Sequence, residues 1–186
     1  MNQWGSRVAA AFLVASLVQA GMATAQPTPG TAAPVKELAS LLAGKGGGAG
    51  AQFVAAEDPK DTSRFVAAML LPDLQLLVVS ASYKAPVLLR ERVLTKKYQD
   101  AYQDLQAASV AEGKLVIEDL LANGLAVKPA KNQAPDAATI KGKTITFDGQ
   151  WRKAKVSEAD YTSAFTTAEQ EYTRLLGLLI AEAKVK

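Results

Sequence analysis

The sequence predicts an α+β domain, in which an antiparallel sheet or a split-barrel-like meander packs against a middle helix and a long C-terminal helix. Two observations support this class. Short apolar segments separated by turn signals follow one another from residue 52 to residue 83, and the last thirty residues have helical spacing without a proline. Strands that are interrupted by two helical stretches, without strict β-α alternation, are typical of α+β proteins. We expect five or six strands.

The N-terminus has the pattern of a secretory signal peptide. Arg7 is followed by an apolar run over 8–18, and small residues then occupy the Ala23-Thr24-Ala25 site. The apolar run is well short of the roughly 20 residues that a membrane-spanning helix needs, and no later segment reaches that length. We therefore expect cleavage between Ala25 and Gln26. The mature chain would be periplasmic or secreted and would have no transmembrane segment.

Residues 26–50 are predicted to precede the folded domain, which would span 51–186. Pro, Thr and Ala dominate 26–34, which we expect to be a disordered leader. Apolar spacing over 35–42 predicts a short amphipathic helix. The glycine-rich segment 44–50 is typical of a flexible linker.

Three strands are expected at the start of the domain. Segments 52–56 and 64–71 are apolar and flank the polar turn 57–61. A Pro-Asp turn at 72–73 precedes 75–83, which is β-branched and apolar and has the strongest strand pattern in the chain. Together they predict an antiparallel meander.

The middle of the chain leaves one alternative open. Pro86 suits the first turn of a helix that we expect over 85–97. The segment 98–106 either continues this helix or forms a strand that pairs with 114–120 across a loop at 107–113, and we prefer the strand. In both cases 114–120 is a strand.

The last part of the chain is predicted as a loop, a strand and one long helix. Two prolines and many small residues over 126–139 indicate a surface loop. A short strand over 144–147 ends at an Asp-Gly turn. Ser157 is expected to cap a helix that continues to Val185.

The composition excludes several chemistries. The chain has no histidine and no cysteine, so nucleophile–histidine systems and the usual zinc, copper and haem ligands are absent. The net charge of +3 is small and the basic residues are scattered, so we expect no nucleic-acid partner. We also expect no cofactor, no metal and no catalytic residue. The remaining carboxylate candidates are interpreted as solvated surface groups; they are Glu57, Asp58, Asp61, Glu118 and Asp119.

An apolar stripe on the terminal helix has two interpretations. Its members follow a 4-3-4-3-4 spacing and are Tyr161, Phe165, Ala168, Tyr172, Leu175 and Leu179. They form either a seam with a second chain or, preferably, the face that packs on the chain's own sheet. A dense apolar patch late in the helix comprises Leu175, Leu176, Leu179 and Ile180. If the sheet covers only the first half of the helix, this patch predicts a homodimer with Leu175 and Leu179 in the seam.

One aromatic residue is a further interaction candidate. Trp151 follows a glycine turn and precedes a basic stretch, which would place it at the surface. A ligand could then stack on it. Packing against the start of the last helix is the preferred alternative.

The element order resembles a known fold. Segments 64–71, 75–83 and 85–97 resemble strands and the crossing helix of the split β-barrel of flavin-binding oxidase-like proteins, over about 52–121. No phosphate-binding motif of such proteins maps onto the chain. The chain is also similar to small exported bacterial proteins of unknown function. We expect a non-enzymatic binding or assembly protein of the bacterial cell envelope, which acts on a protein partner or self-associates through its C-terminal helix. The alternative is a split barrel that binds a small ligand such as a flavin.

Overall fold

The computed structural model of the protein describes residues 30–44, 52–71, 73–82, 109 and 114–185. Two helices and six strands lie in these ranges. They are α1 (Ala32–Gly44), β1 (Gln52–Glu57), β2 (Arg64–Leu70), β3 (Leu76–Ser82), β4 (Val116–Asp119), β5 (Asp136–Ile140), β6 (Lys143–Phe147) and α2 (Glu158–Val185).

The six strands form one antiparallel sheet in chain order from β1 to β6. Each strand pairs with the next, as in the registers Val54 with Ala68 and Val78 with Ile117. Strands β1 and β6 are the edges, so the described sheet is open. The predicted α+β class, with an antiparallel meander and a long terminal helix, is confirmed.

Helices α1 and α2 pack together on one face of the sheet. Val66, Ala68 and Leu70 of β2 belong to the core beneath them, whereas Phe65 and Met69 belong to a second apolar cluster. Because side chains alternate along a strand, the two clusters lie on opposite faces of the sheet. Both faces of β2 are therefore buried, and this explains why its sequence is apolar from Phe65 to Leu70.

Strand β5 begins at Asp136, inside the segment 126–139, for which the predicted loop is therefore partly wrong. Its residues form a hairpin with β6 through Lys141 and Gly142, which both have positive φ angles of 52° and 75°. This is the backbone of a type I′ turn, which matches the twist of the two strands. The alanines of β5 are buried because the strand lies between β4 and β6.

Helix α1 begins earlier than expected and belongs to the core. Thr31 is buried, and the helix starts at Ala32, so the expected disordered leader is wrong for residues 31–34. Val35, Leu38 and Leu42 are buried in the same cluster as the sheet and α2. The predicted signal peptide lies outside the described residues. So does the glycine-rich linker, apart from Gly44, which is the last residue of α1.

Helix α2 starts as predicted. The Ser157 hydroxyl accepts a hydrogen bond from the Asp160 backbone N–H at 3.1 Å and donates one to Asp160 Oδ2 at 2.7 Å. Neither described helix is both long and apolar enough to cross a membrane. The predictions for 85–97 and 98–106 lie outside the described residues. Ser109 is helical, where we expected a loop.

Candidate functional site

Charged side chains converge in an open pocket of about 400 Å³ beside the β1–β2 loop. The loop, the start of β2, the middle of β3, the segment before β4 and one face of α2 contribute to it. The charged lining residues are Asp58, Lys60, Asp61, Arg64, Lys114, Glu171 and Arg174. We call this the Arg174 pocket.

Arg174 ties helix α2 to the sheet. Its Nη1 and Nη2 donate to the two carboxylate oxygens of Asp58 at 2.8 and 2.7 Å, which is the bidentate geometry that guanidinium groups favour. Its Nε donates to Glu171 Oε2 at 2.9 Å, and its Nη2 also contacts Glu171 Oε1. The Asp58 side chain is only 5% exposed, so the expectation of a solvated carboxylate is wrong for this residue.

Hydrogen bonds within the β1–β2 loop fix the position of Asp58. The Asp58 N–H donates to the Arg64 carbonyl at 3.1 Å, and the Arg64 N–H donates to the Asp61 carbonyl at 2.9 Å. The Lys60 N–H donates to Asp58 Oδ1 at 3.0 Å, and the Ser63 N–H donates to Asp61 Oδ1 at 3.1 Å. Local turns of this kind are typical of aspartate.

The ion pairs shift the titration of the groups that form them. The hydrogen bonds from Arg174 hold the pKa of Asp58 below its ordinary value, although burial opposes this. Glu171 and then Asp58 raise the pKa of Arg174. The hydrogen bond from Ser63 lowers the pKa of Asp61, which is exposed. The net shifts therefore favour the charged forms of Asp58, Asp61 and Arg174.

Within the described residues, the remaining cations of the pocket form no ion pair, although the charges of Asp58 and Asp61 attract Arg64. Arg64 Nη2 donates to Ser80 Oγ at 2.7 Å and to the Ser80 carbonyl at 3.4 Å. Lys60 and Lys114 form no ion pair with any residue in the described ranges. Ser80 N–H donates to the Leu115 carbonyl, and this contact places Lys114 beside the pocket. The Nε and Nη1 groups of Arg64 and the ammonium groups of the two lysines are therefore donors that form no hydrogen bond with the described residues.

A second polar cluster is buried in the protein, at the turn that follows β4. Asp119 is fully buried, so the expectation of a solvated carboxylate is wrong here too. Its Oδ1 accepts from the Asn123 N–H at 3.1 Å, and its Oδ2 accepts from the Gly124 N–H at 2.7 Å and the Tyr172 hydroxyl at 3.3 Å. These contacts close the turn that follows β4.

Asp136 and Thr31 hold the next residues of that turn. Asp136 Oδ2 accepts from the Ala126 N–H at 2.9 Å, and Thr31 Oγ1 accepts from the Leu125 N–H at 3.0 Å. A Cβ atom at Gly124 would lie 2.7 Å from the Ala32 backbone nitrogen, and its φ is +94°. Only glycine fits this approach between the turn and the start of α1.

Burial perturbs both carboxyl groups of this cluster. Loss of solvation raises the pKa of Asp119, although the hydrogen bonds from Asn123 and Gly124 oppose it. Loss of solvation also raises the pKa of Asp136 to about 6, with a further contribution from the charge of Asp119. Their partners are mostly backbone N–H groups of one turn. The cluster is therefore a structural clamp on that turn.

The apolar candidates from the sequence lie in the chain's own core. Leu175, Leu176 and Leu179 have no exposed surface, and Ile180 is 8% exposed. They do not form a patch that is open to water, so a seam through them would require α2 to leave the sheet. Trp151 is half-buried and packs against the core, and the Arg152 guanidinium lies 4.8 Å from its ring centroid.

The sequence analysis did not identify Arg64 or Arg174. The Glu171–Arg174 spacing is common on exposed helix faces, and it gives no sign of a third partner in the β1–β2 loop. Within the part of the chain that the structure describes, no group of three or more acidic residues could hold a metal ion. No protein-family model matches the chain, and no curated protein or solved structure is significantly similar to it.

Proposed function

We propose that this chain is an exported, non-enzymatic binding protein of the bacterial cell envelope, and that it binds its partner through the Arg174 pocket. The observation that carries the proposal is the convergence of charged groups in one pocket, where the ion pair between Arg174 and Asp58 holds helix α2 against the β1–β2 loop. The signal-peptide pattern around Arg7 and Ala25 supports export.

The chemistry of the pocket supports binding rather than catalysis. The chain contains neither histidine nor cysteine. Asp58 and Glu171 are bound to Arg174, and Asp61 is bound to Ser63, so each carboxylate already has a hydrogen-bond donor. An efficient general base needs a pKa near the operating pH, whereas the pKa values of Asp58 and Asp61 are lowered.

Export can be tested by the mass of the protein in the periplasmic and extracellular fractions. We expect the mass of a chain that begins at Gln26. A full-length protein that remains in the cytoplasm would contradict the proposal.

Partner binding can be tested by photo-crosslinking in living cells. A photoreactive amino acid at position 60, in the pocket, is compared with one at position 143, which is exposed on the edge strand β6. We expect one discrete adduct from position 60 that position 143 does not give. The Arg64→Gln change should abolish that adduct. Equal crosslinking at both positions, or none at position 60, would contradict binding through the pocket.

A flavin titration tests the alternative function. Added flavin should leave the absorbance spectrum of the purified protein unchanged. Saturable changes in the flavin band would favour a ligand-binding barrel instead.

A further inference from the structure

We propose that the Arg174 pocket binds an oxyanion, namely the carboxylate or phosphate group of a small ligand, between Arg64, Lys60 and Lys114. The inference rests on the proposed binding function and specifies the chemistry of its ligand.

Most carboxylate oxygens of the pocket already accept a hydrogen bond. Both oxygens of Asp58 and both of Glu171 accept hydrogen bonds from Arg174. Asp61 Oδ1 accepts from the backbone N–H and the hydroxyl of Ser63 at 3.1 and 2.5 Å. A cationic ligand would have to compete with these contacts at every carboxylate oxygen of the pocket except Asp61 Oδ2.

Arg64 retains its charge and most of its donors. It is half-buried at the start of β2, and Ser80, which is neutral, is its hydrogen-bond partner among the described residues. Only Nη2 makes these contacts, which leaves Nε and Nη1. A guanidinium group has five N–H donors in a planar fork that matches the geometry of carboxylate and phosphate. Ser80 therefore positions Arg64, whose charge is also attracted by Asp58 and Asp61 although its side chain forms no ion pair with them.

Two lysines line the same pocket as this guanidinium. Lys60 is exposed in the β1–β2 loop, and Lys114 is half-buried in the segment before β4. Four basic and three acidic side chains line the pocket, so its net charge is positive. The cations form one small cluster instead of a long basic surface. This arrangement fits a single oxyanion group rather than a nucleic-acid backbone.

The test is an amide NMR titration of the purified protein with sodium phosphate and, separately, with sodium acetate. Sodium chloride at equal ionic strength is the reference, because salt alone screens exposed charges. We expect saturable shifts at Lys60, Arg64 and Ser80 with at least one of the two oxyanions. The stronger of the two arms identifies phosphate or carboxylate as the favoured group. No saturable shift in either arm, or shifts away from the pocket, would overturn the proposal.

Matched variants assign the binding to the pocket. Arg64→Gln should lower the affinity for the oxyanion by about tenfold, as expected for the loss of charge-assisted hydrogen bonds. Lys60→Gln should weaken it by about threefold, and its exposed position in a loop removes no core contact. Lys143→Gln removes an exposed lysine from the opposite edge of the sheet and should have no effect. Equal affinity of the Lys60→Gln and Lys143→Gln proteins would contradict the proposed site.

The two proposals fail in different ways. If the purified protein binds an oxyanion but is not exported or crosslinked in cells, the envelope function is wrong and the ligand chemistry stands. If position 60 crosslinks a partner but neither oxyanion shifts the pocket amides, the oxyanion proposal is wrong and the binding function stands.

Discussion

Replacement of Asp136 by asparagine should change how the stability of the protein depends on pH. The Asp136 carboxyl is buried at 6% exposure, and one oxygen accepts the Ala126 N–H at 2.9 Å. Burial raises its pKa from 3.8 to about 6. The asparagine carbonyl can still accept the Ala126 N–H, but the side chain is neutral at every pH. The substitution therefore removes the titration and keeps the hydrogen bond from Ala126, while any change in the contact with the Leu120 N–H shifts the stability equally at every pH.

The direction of the pH dependence follows from whether the folded or the unfolded state binds the proton more tightly. Between pH 3.8 and about 6 the folded protein holds a proton on Asp136 that the unfolded chain has released. The free energy of unfolding therefore falls as the pH rises through this window. A change in pKa from 3.8 to about 6 corresponds to about 3 kcal/mol, at 1.36 kcal/mol for each pH unit. The full loss in the free energy of unfolding is reached at pH values above the pKa of Asp136 in the folded protein.

The assay is urea unfolding followed by far-ultraviolet circular dichroism, from about pH 4 to about pH 8. Urea is preferred because guanidinium chloride would screen the charges. We expect the fall in the free energy of unfolding across this range to be about 2.4 kcal/mol smaller in Asp136→Asn than in the wild type, because the unfolded chain has already released part of the proton at pH 4. Asp73→Asn, which changes an exposed turn carboxylate, is the control and should parallel the wild type. If the Asp136→Asn profile also parallels the wild type, Asp136 does not titrate as its burial indicates.

The elements with strong local patterns were predictable from the sequence. The apolar segments of β2 and β3 are separated by a Pro-Asp turn, and the Ser157 cap precedes a long helical periodicity. Strand β5 was not predicted, because its Asp-Ala-Ala-Thr-Ile sequence is short and its alanines have low β-propensity. Its turn uses Lys141-Gly142 instead of the more recognisable Asn-Gly. Placement between two other strands outweighs the weak local preference.

The candidate site was much less predictable than the fold. Arg174 and Asp58 are 116 residues apart in the chain, and no local pattern indicates that they form an ion pair. The local sequence around an aspartate or glutamate also does not show whether its carboxylate is buried or exposed. Asp119 has backbone N–H groups among its partners, and these have no side-chain signature. Only the tertiary structure identifies such a residue as buried.

Three further substitutions test the packing of α2 by urea unfolding and light scattering. Arg174→Met should destabilise the protein by about 2 kcal/mol near neutral pH, because Asp58 would remain charged, buried and without its partner. The loss should shrink as the pH approaches 4, because Asp58 of the Arg174→Met protein, which lacks the guanidinium, then takes up a proton. Gly177→Ala should stabilise by about 0.5–1 kcal/mol, because the glycine is exposed in a helix and a Cβ atom there meets nothing within 4 Å. Leu179→Glu should prevent folding, since Leu179 has no exposed surface: the loss of its apolar contacts and the burial of an unpaired carboxylate together cost about as much as a typical domain's stability. A dimer seam predicts the opposite result for that change: the variant would fold normally and scatter light as a monomer, whereas the wild type would scatter as a dimer. That outcome would refute the assignment of Leu179 to the core.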